Sequence, residues 1–169
     1  MPMQYYTSAT YSARTSIGYL IKRAHAQLAD QLEPALESRG FTLTQWVLLM
    51  HLREGMALNA RVLCMQLRHD SGALTRVIDQ LESRGLVSRE RSRRDRREVQ
   101  LQLTATGRET VEAVIPAVVE RLNTALVGFT AQELDELTRL LMKLTALLEG
   151  EAAEDAPAAA SAPASGDAP

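Results

Sequence analysis

The sequence predicts a mainly α-helical fold (α+β) in which one β-hairpin follows two short, closely linked helices. Apolar residues recur every three or four positions through most of the 169-residue chain. Glu98–Leu103 alternates strictly between polar and apolar residues, which is typical of a half-buried strand. Aromatic residues make up only 4% of the chain, so its core must consist of Leu, Val, Ile, Met and Ala, which suits helices.

The helix boundaries follow from apolar periodicity, capping patterns and helix breakers. Thr42–Gln45 and Thr130–Glu133 have the capping-box pattern that begins a helix. Pro34 and Pro116 lie inside helical patterns and are expected to bend them. An arm over residues 1–13, with three tyrosines, is expected to be loosely ordered. The predicted helices span about 14–38, 42–53, 60–67, 71–83, 104–127 and 130–149.

Helix 71–83 is the clearest element of the chain. Asp70 or Ser71 can cap its start, and Gly85 can adopt the left-handed conformation that ends it. A short link joins it to helix 60–67, so the two helices should cross steeply, as in a helix-turn-helix. Its inward face contains four apolar residues at helical spacing: Leu74, Val77, Ile78 and Leu81.

The opposite face of helix 71–83 has the properties of a helix that enters a DNA major groove. Small residues at its start allow close approach, Thr75 and Arg76 can form hydrogen bonds, and backbone N–H groups near Ser71 can meet a phosphate. The residues expected on this face are Gly72, Ala73, Thr75, Arg76, Asp79 and Gln80.

The predicted hairpin has strands at Val87–Arg91 and Glu98–Leu103, joined by the purely polar segment Ser92–Arg97. Four arginines at this tip repel one another, and a narrow A·T-rich minor groove would attract them. Asp95 is expected to pair with a neighbouring arginine and fix the tip. Three residues of the second strand are expected to face inward: Val99, Leu101 and Leu103.

Taken singly, these features have simpler explanations, because a charge run is usually a solvated loop and a capped polar helix face is usually surface. Their order is much more specific. Residues 61–108 contain eleven basic and six acidic residues, a net charge of +5 in a chain of net charge −2. This basic centre is the electrostatic footprint expected for binding a phosphate backbone.

A long, ordered signature runs through this region and resembles the MarR family of bacterial regulators (multiple antibiotic resistance type). The resemblance extends from about Ser16 to Leu148. The matching positions are Thr75-Arg76, Leu81-Glu82, Gly85-Leu86-Val87, Arg89, Asp95-Arg96-Arg97, Leu103-Thr104 and Gly107.

The resemblance implies a winged helix-turn-helix domain over 14–150, with a DNA-binding lobe at about 42–104 that includes a two-stranded β-wing. It also implies that the first and last helices, about 14–38 and 105–149, form a dimerisation lobe. The Ala- and Pro-rich tail, 151–169, is expected to be disordered.

The resulting hypothesis is a homodimeric repressor that binds a double-stranded, pseudo-palindromic operator and is released by a small aromatic or phenolic effector. Such a regulator would control efflux or aromatic-compound metabolism. Arg96 is the expected minor-groove residue. The expected DNA-binding residues are Ser71, Gly72, Ala73, Thr75, Arg76, Arg94, Asp95, Arg96 and Arg97. Tyr19, Arg23, Trp46 and His51 are expected to line the effector site, although Trp46 on an apolar helix is more often a core residue. Leu137, Leu141, Leu144 and Leu148 are expected at the dimer interface.

Other classes receive less support from the sequence. The three histidines lack metal-ligand spacing, and neither a P-loop nor a dinucleotide-binding pattern occurs, so we expect no enzyme, cofactor or metal. Cys64 is the single cysteine and is expected to be buried; oxidant-sensing relatives use a cysteine near the N-terminus, which this chain lacks. The alternatives left open are a redox-responsive regulator acting through Cys64 and a winged-helix module that binds protein.

The sequence contains no apolar run of bilayer length and no signal-peptide pattern. We therefore expect a cytoplasmic, nucleoid-associated protein with no membrane partner.

Overall fold

The computed structural model describes residues 5–55, 59, 63–64, 70–91 and 99–154. It confirms a mainly α-helical fold with one antiparallel hairpin. The chain divides into two compact units, Met1–Leu126 and Val127–Pro169. The described elements are a 3-10 turn at Ala13–Thr15, α1 (Ile17–Glu37), α2 (Leu43–Arg53), α3 (Ser71–Ser83), β1 (Val87–Arg91), β2 (Val99–Leu103), α4 (Ala105–Ala125) and α5 (Ala131–Glu154).

The helix predicted at 60–67 lies mostly outside the described residues. Leu63 and Cys64 are both helical, as predicted. Leu63 is fully buried, whereas Cys64 is half-buried and packs against the core, so it is less enclosed than the expected buried residue.

The core of the first unit is built mainly from aliphatic side chains, as the low aromatic content predicts. Leu74, Ile78 and Leu81 of α3 are buried in it, so the predicted inward face of this helix is confirmed for these three residues; Val77 is half-buried beside them. The other core residues are Leu36, Phe41, Trp46, Leu48, Leu49, Leu63, Leu86, Val87, Leu101, Leu103, Val111, Val114 and Val118.

The start of α1 differs from the prediction. The helix begins at Ile17 rather than near residue 14, because Ser16 is extended and separates it from the 3-10 turn. The arm before it makes local contacts from Tyr5 onward: the Tyr6 ring meets Tyr5 and Tyr11 edge-on. The Tyr6 hydroxyl accepts a hydrogen bond from the Ile17 N–H at 2.9 Å, which satisfies one free donor at the helix start.

The predicted capping boxes are both present. The Thr42 hydroxyl accepts from Gln45 N, and Gln45 Oε1 accepts from Thr42 N. Thr130 and Glu133 make the corresponding pair of bonds at the start of α5. The turn before α2 contains Gly40 with φ of +73°, a conformation that favours glycine.

A tight joint connects α3, the hairpin and α4. The Thr104 hydroxyl donates to the Gly85 carbonyl at 2.7 Å and accepts from Gly107 N at 2.9 Å. Gly107 lies so close to Leu86 that an added Cβ would be 2.0 Å from the Leu86 carbonyl oxygen. The joint therefore fixes where α4 starts relative to the end of α3.

The hairpin register runs from the Val87–Leu103 pair to the Arg91–Val99 pair. Leu101 and Leu103 are buried, as predicted, but Val99 is 45% exposed, so its predicted inward position is wrong. Val99 follows the same alternation, but it pairs with the exposed Arg91 at the far end of the hairpin, beyond the core. Glu98 lies outside the described residues.

The last helix is longer than predicted. Helix α5 continues to Glu154, so the expectation that disorder begins at residue 151 is wrong for 151–154. The segment Glu-Ala-Ala-Glu consists of good helix formers, which explains the extension. The remainder of the predicted tail, 155–169, lies outside the described residues. No helix in the described ranges is long and apolar enough to cross a bilayer.

Candidate nucleic-acid interface

The start of α3 is capped by Asp70 rather than Ser71. Asp70 Oδ1 accepts from Gly72 N at 2.9 Å and from Ala73 N at 3.0 Å. These two N–H groups are therefore already satisfied, and a carboxylate lies beside them. We expected backbone N–H groups near Ser71 to meet a phosphate, but the donors of Gly72 and Ala73 are not free to do so here.

The exposed face of α3 begins with residues that have little side-chain bulk. Ser71, Gly72 and Ala73 are all exposed, which permits close approach of another surface. The Thr75 hydroxyl donates to the Ser71 carbonyl at 2.8 Å, so its hydrogen is used within the helix. In this rotamer Thr75 offers an accepting oxygen and a methyl group, which suit base edges better than phosphates.

Arg76 is the exposed cation of this face. Its side chain lies on the solvent side of α3, one position after Thr75. Among the described residues, no hydrogen bond or ion pair engages its guanidinium. Arg76 is thus available for a bidentate contact with a guanine edge or a phosphate.

One flank of α3 is tied to the hairpin by Arg89 of β1. Arg89 Nη2 lies 2.5 Å from Asp79 Oδ1, and Arg89 Nη1 pairs with Glu82. The hydrogen bond with Asp79 is the main cause of a raised Arg89 pKa. Helical periodicity alone predicts Asp79 on the DNA-facing surface and names no partner for it. Its negative charge is in fact compensated by Arg89, which reduces repulsion of a polyanion.

The other flank of α3 is tied to the junction between α1 and α2. Gln45 Nε2 donates to Gln80 Oε1 at 3.0 Å. Arg84 Nη1 donates to the Gly40 carbonyl at 2.8 Å, and its guanidinium lies 4.3 Å from the centre of the Phe41 ring. Neither contact could be predicted from the sequence, because the partners lie far more than one helical turn apart along the chain.

The tip of the wing lies outside the described residues. This applies to four of the expected DNA-binding residues: Arg94, Asp95, Arg96 and Arg97. The strands that lead to the tip end at Arg91 and begin again at Val99, and their antiparallel pairing continues up to these two residues.

Comparisons with known proteins decide the family. A model of the MarR family matches residues 41–99. The HTH-type transcriptional repressor Rv2887 of Mycobacterium tuberculosis is 33% identical over 131 residues, covering 76% of this chain and 92% of that protein. The chain belongs to the MarR family. The organic hydroperoxide resistance transcriptional regulator of Bacillus subtilis is 29% identical, covering 78% of this chain and 86% of that protein.

Solved structures of MarR-family proteins have the same fold. MarR from E. coli, as a mutant in complex with operator DNA, gives a TM-score of 0.67 at 28% identity, covering 80% of this chain and 99% of that one. Bordetella bronchiseptica BpsR, whose DNA binding is regulated by 6-hydroxynicotinic acid, gives 0.68 at 25% identity, covering 80% and 96%. The winged-helix fold is therefore confirmed, and the relatives are regulators, in agreement with the expectation that this chain is not an enzyme.

The four residues expected to line an effector site in this MarR-family chain have different environments. Tyr19 and Arg23 are exposed on α1, one helical turn apart. Trp46 is buried in the core of the first unit, so its ring is used in packing. His51 is half-buried, with Nδ1 2.8 Å from the Val47 carbonyl oxygen. Their role in ligand binding stays a prediction, and Trp46 contributes least to an accessible surface.

The predicted dimerisation leucines lie on α5, which belongs to the second unit. Leu137, Leu141 and Leu148 are exposed, and Leu144 is half-buried. Separately, α1 in the first unit exposes Ile17, Leu20 and Ile21, together with Tyr19. Both terminal helices thus present apolar side chains that the single chain leaves accessible.

Proposed function

We propose that this protein is a homodimeric transcriptional repressor that binds a pseudo-palindromic DNA operator and is released by a small aromatic or phenolic acid. The observation that carries the proposal is the exposed face of α3. This face combines small residues with Arg76, which has no partner among the residues that the structure describes. The helix is held in place along both flanks, by Gln45 on one side and Arg89 on the other. A rigid helix with an accessible arginine is suited to reading base edges in a major groove.

The proposed contacts fall into two groups. Residues 71–76 of α3 would enter the major groove, with Thr75 and Arg76 at base edges or adjacent phosphates. The wing tip would reach the neighbouring minor groove, with Arg96 inserted and with Arg97 and Arg94 as the next candidates for this position. Asp95 would hold the tip. The net charge of +5 over residues 61–108 supplies the long-range attraction to the duplex.

The proposed dimer explains the apolar surfaces of α1 and α5. Exposed leucines at steps of three and four residues, as on α5, can interdigitate with a second helix. A twofold dimer would then place two copies of α3 about 34 Å apart, one turn of DNA, on the two halves of a pseudo-palindrome.

The proposed effector is an aromatic or phenolic acid, acting by population shift toward a dimer whose α3 helices no longer fit successive grooves. Tyr19 and Arg23 share one side of α1 and offer an aromatic ring beside a cation. The regulation of BpsR by 6-hydroxynicotinic acid, a hydroxylated aromatic acid, supports this class of ligand. Control of efflux or aromatic-compound metabolism would suit such an effector.

The experiment that tests the proposal is selection of bound duplexes from a random pool, followed by anisotropy titrations at several salt concentrations. Arg96→Ala should weaken binding by about 1–3 kcal/mol. Arg76→Ala should also relax the base preference; equal weakening for all sequences would make Arg76 a phosphate contact only. Absence of duplex binding at low salt would reject the proposal in favour of a protein-binding module.

A second candidate, a redox-responsive repressor, is favoured by two observations. Cys64 is half-buried rather than fully enclosed, and the Bacillus subtilis relative is an organic hydroperoxide resistance regulator. Peroxide treatment of the wild type and of Cys64→Ser, followed by the DNA titration, separates the candidates. Equal peroxide sensitivity in both proteins would eliminate Cys64 as the switch.

A further inference from the structure

Gln45 is the one buried polar side chain among the residues that the structure describes, with 7% of its surface exposed. It lies in the first turn of α2, next to the buried Trp46. Burying an amide in an apolar core is costly unless its hydrogen bonds are made. Both ends of the Gln45 amide are engaged, one by Thr42 and the other by Gln80.

The direction of these hydrogen bonds is fixed by chemistry. Thr42 contributes its backbone N–H, which can only donate, so the Gln45 atom facing it must be the accepting Oε1. The remaining end of Gln45 is then Nε2, which donates to Gln80. The Gln80 atom that receives this bond must be Oε1. The chain of donors and acceptors therefore leaves Gln80 with its Nε2 and two N–H groups unused within the described residues.

Gln80 lies where these two donors can meet DNA. It is exposed, and it follows Arg76 by one helical turn on the same side of α3. It also lies on the flank facing α2 and in the second half of the helix. In helix-turn-helix proteins the N-terminal residues of this helix reach the bases. Gln80 lies farther along the helix and on its flank, so it should face the side of the groove, where phosphate oxygens accept hydrogen bonds.

We propose that Gln80 donates from Nε2 to a phosphate oxygen of the duplex, and that Gln45 is the positioning residue that turns this nitrogen outward. The inference rests on the proposed function, because it requires α3 to occupy a groove. The sequence places Gln80 on the exposed face of α3 without giving it a contact, and it does not identify Gln45; the inference adds the phosphate contact of Gln80 and the residue that positions it.

Three variants at position 80 test the contact by anisotropy, with the selected operator and an unrelated duplex. Gln80→Ala should lower affinity for both duplexes by a similar factor, roughly tenfold, as for one hydrogen bond to a charged acceptor. Gln80→Met, which keeps the length without the donors, should behave like Gln80→Ala. Gln80→Glu keeps an acceptor for Gln45 but places negative charge outward, so its loss should be larger. The control Lys22→Gln makes the same change in net charge on α1 and should have little effect.

The positioning role of Gln45 is tested by Gln45→Glu, alone and together with Gln80→Ala. The carboxylate can still accept from Thr42 N, but it has no hydrogen to donate. Gln80 would then turn its Nε2 inward and its oxygen toward the phosphate. We expect Gln45→Glu to weaken DNA binding about as much as Gln80→Ala, and to cause no further loss when Gln80→Ala is already present. Equal losses in both backgrounds would indicate a purely structural effect and overturn the positioning role.

The outcomes distinguish this inference from the function on which it rests. Wild-type protein that binds no duplex would reject the proposed function itself. Wild-type binding that is unchanged by Gln80→Ala, or reduced for the selected operator alone, would overturn the phosphate contact and leave the function standing. Gln80 is exposed, so its variants should fold even if the charge introduced at buried Gln45 prevents folding. The comparison of Gln80→Glu with Gln80→Met then decides the contact.

Discussion

Helices α3 and α5 use their apolar residues in opposite ways. Leu74, Ile78 and Leu81 of α3 are buried within the chain's own core. None of the α5 side chains that the structure describes is buried, and Leu141 and Leu148 are exposed. The chain itself therefore fixes the position of α3, whereas the described leucines of α5 remain exposed or half-buried. In the proposed dimer, α3 would be preformed by its own chain, and the spacing between the two copies of α3 would depend on the partner.

Replacing Leu141 by Glu is expected to have the largest effect. A charge buried without a partner at an apolar interface costs about 3–5 kcal/mol, so the dissociation constant of the proposed dimer should rise roughly a hundredfold or more. Operator binding should be lost together with the dimer. The first unit should still unfold in its own thermal transition at an unchanged temperature. Sedimentation and anisotropy measure the two losses. Ala146→Glu on the opposite side of α5 is the control, and a dimeric Leu141→Glu protein would exclude this face from the interface.

Gly107→Ala should test whether contacts within the chain itself hold α3 in place, because Gly107 lies in the joint between α3, the hairpin and α4. The new Cβ would lie 2.0 Å from the Leu86 carbonyl oxygen, and the three nearest atoms all belong to the Leu86 backbone, so the joint must open. We expect the free energy of unfolding to fall by roughly 3 kcal/mol. Urea denaturation at one fixed protein concentration provides the measurement.

The control for this substitution is Gly18→Ala on α1, where the added Cβ meets nothing within 4 Å. Alanine favours the helix by up to about 1 kcal/mol at an interior position, so this variant should be neutral or slightly stabilised. Similar destabilisation by both substitutions would mean that the Gly107 contact is not the cause.

Arg89→Ala should remove the ion pairs along one flank of α3 while leaving the buried residues of the helix unchanged. Asp79 and Glu82 would lose their cation and repel the duplex, so operator affinity should fall roughly two- to fivefold, as for an exposed ion pair. Adding Asp79→Asn and Glu82→Gln should restore most of the affinity, which titration measures. A loss that persists in the triple variant would mean that Arg89 contacts the DNA itself.

The smallest effect is expected at the link between α2 and α4. The hydrogen bond from Arg53 Nε to Glu112, 2.8 Å long, lowers the pKa of the Glu112 carboxyl. A carboxyl with a lowered folded-state pKa stabilises the protein above its ordinary pKa, about 4.3, and this contribution is lost as the pH falls through the folded-state pKa. The melting temperature of Glu112→Gln should therefore be slightly lower than that of the wild type at pH 7. The difference between the two melting temperatures should disappear as the pH falls below about 4.3.

Thermal melts at several pH values measure that gap. Because both groups are well exposed, the effect should be small at every pH. Arg53→Gln should reproduce it, and the double variant should add nothing further. A gap that does not change with pH would show that the ion pair does not contribute.

The sequence by itself determined the features that depend on neighbours along the chain. Helical periodicity identified the buried side of α3, the spacing of Thr42 and Gln45 identified a capping box, and alternation identified the second strand of the hairpin. The ordered signature around Gly85 and Gly107 identified the family. Each of these patterns spans a few residues whose geometry the backbone fixes locally.

Only the tertiary structure decided which distant residues meet. Gln45 bonds to Gln80 across 35 positions and Arg84 to Gly40 across 44, and periodicity contains no information about such pairs. Val99 has the inward phase of its strand but lies beyond the core, while Trp46 is used in packing. A pattern predicts the direction of a side chain relative to its own backbone. Whether another element lies there depends on how the helices and the hairpin pack together.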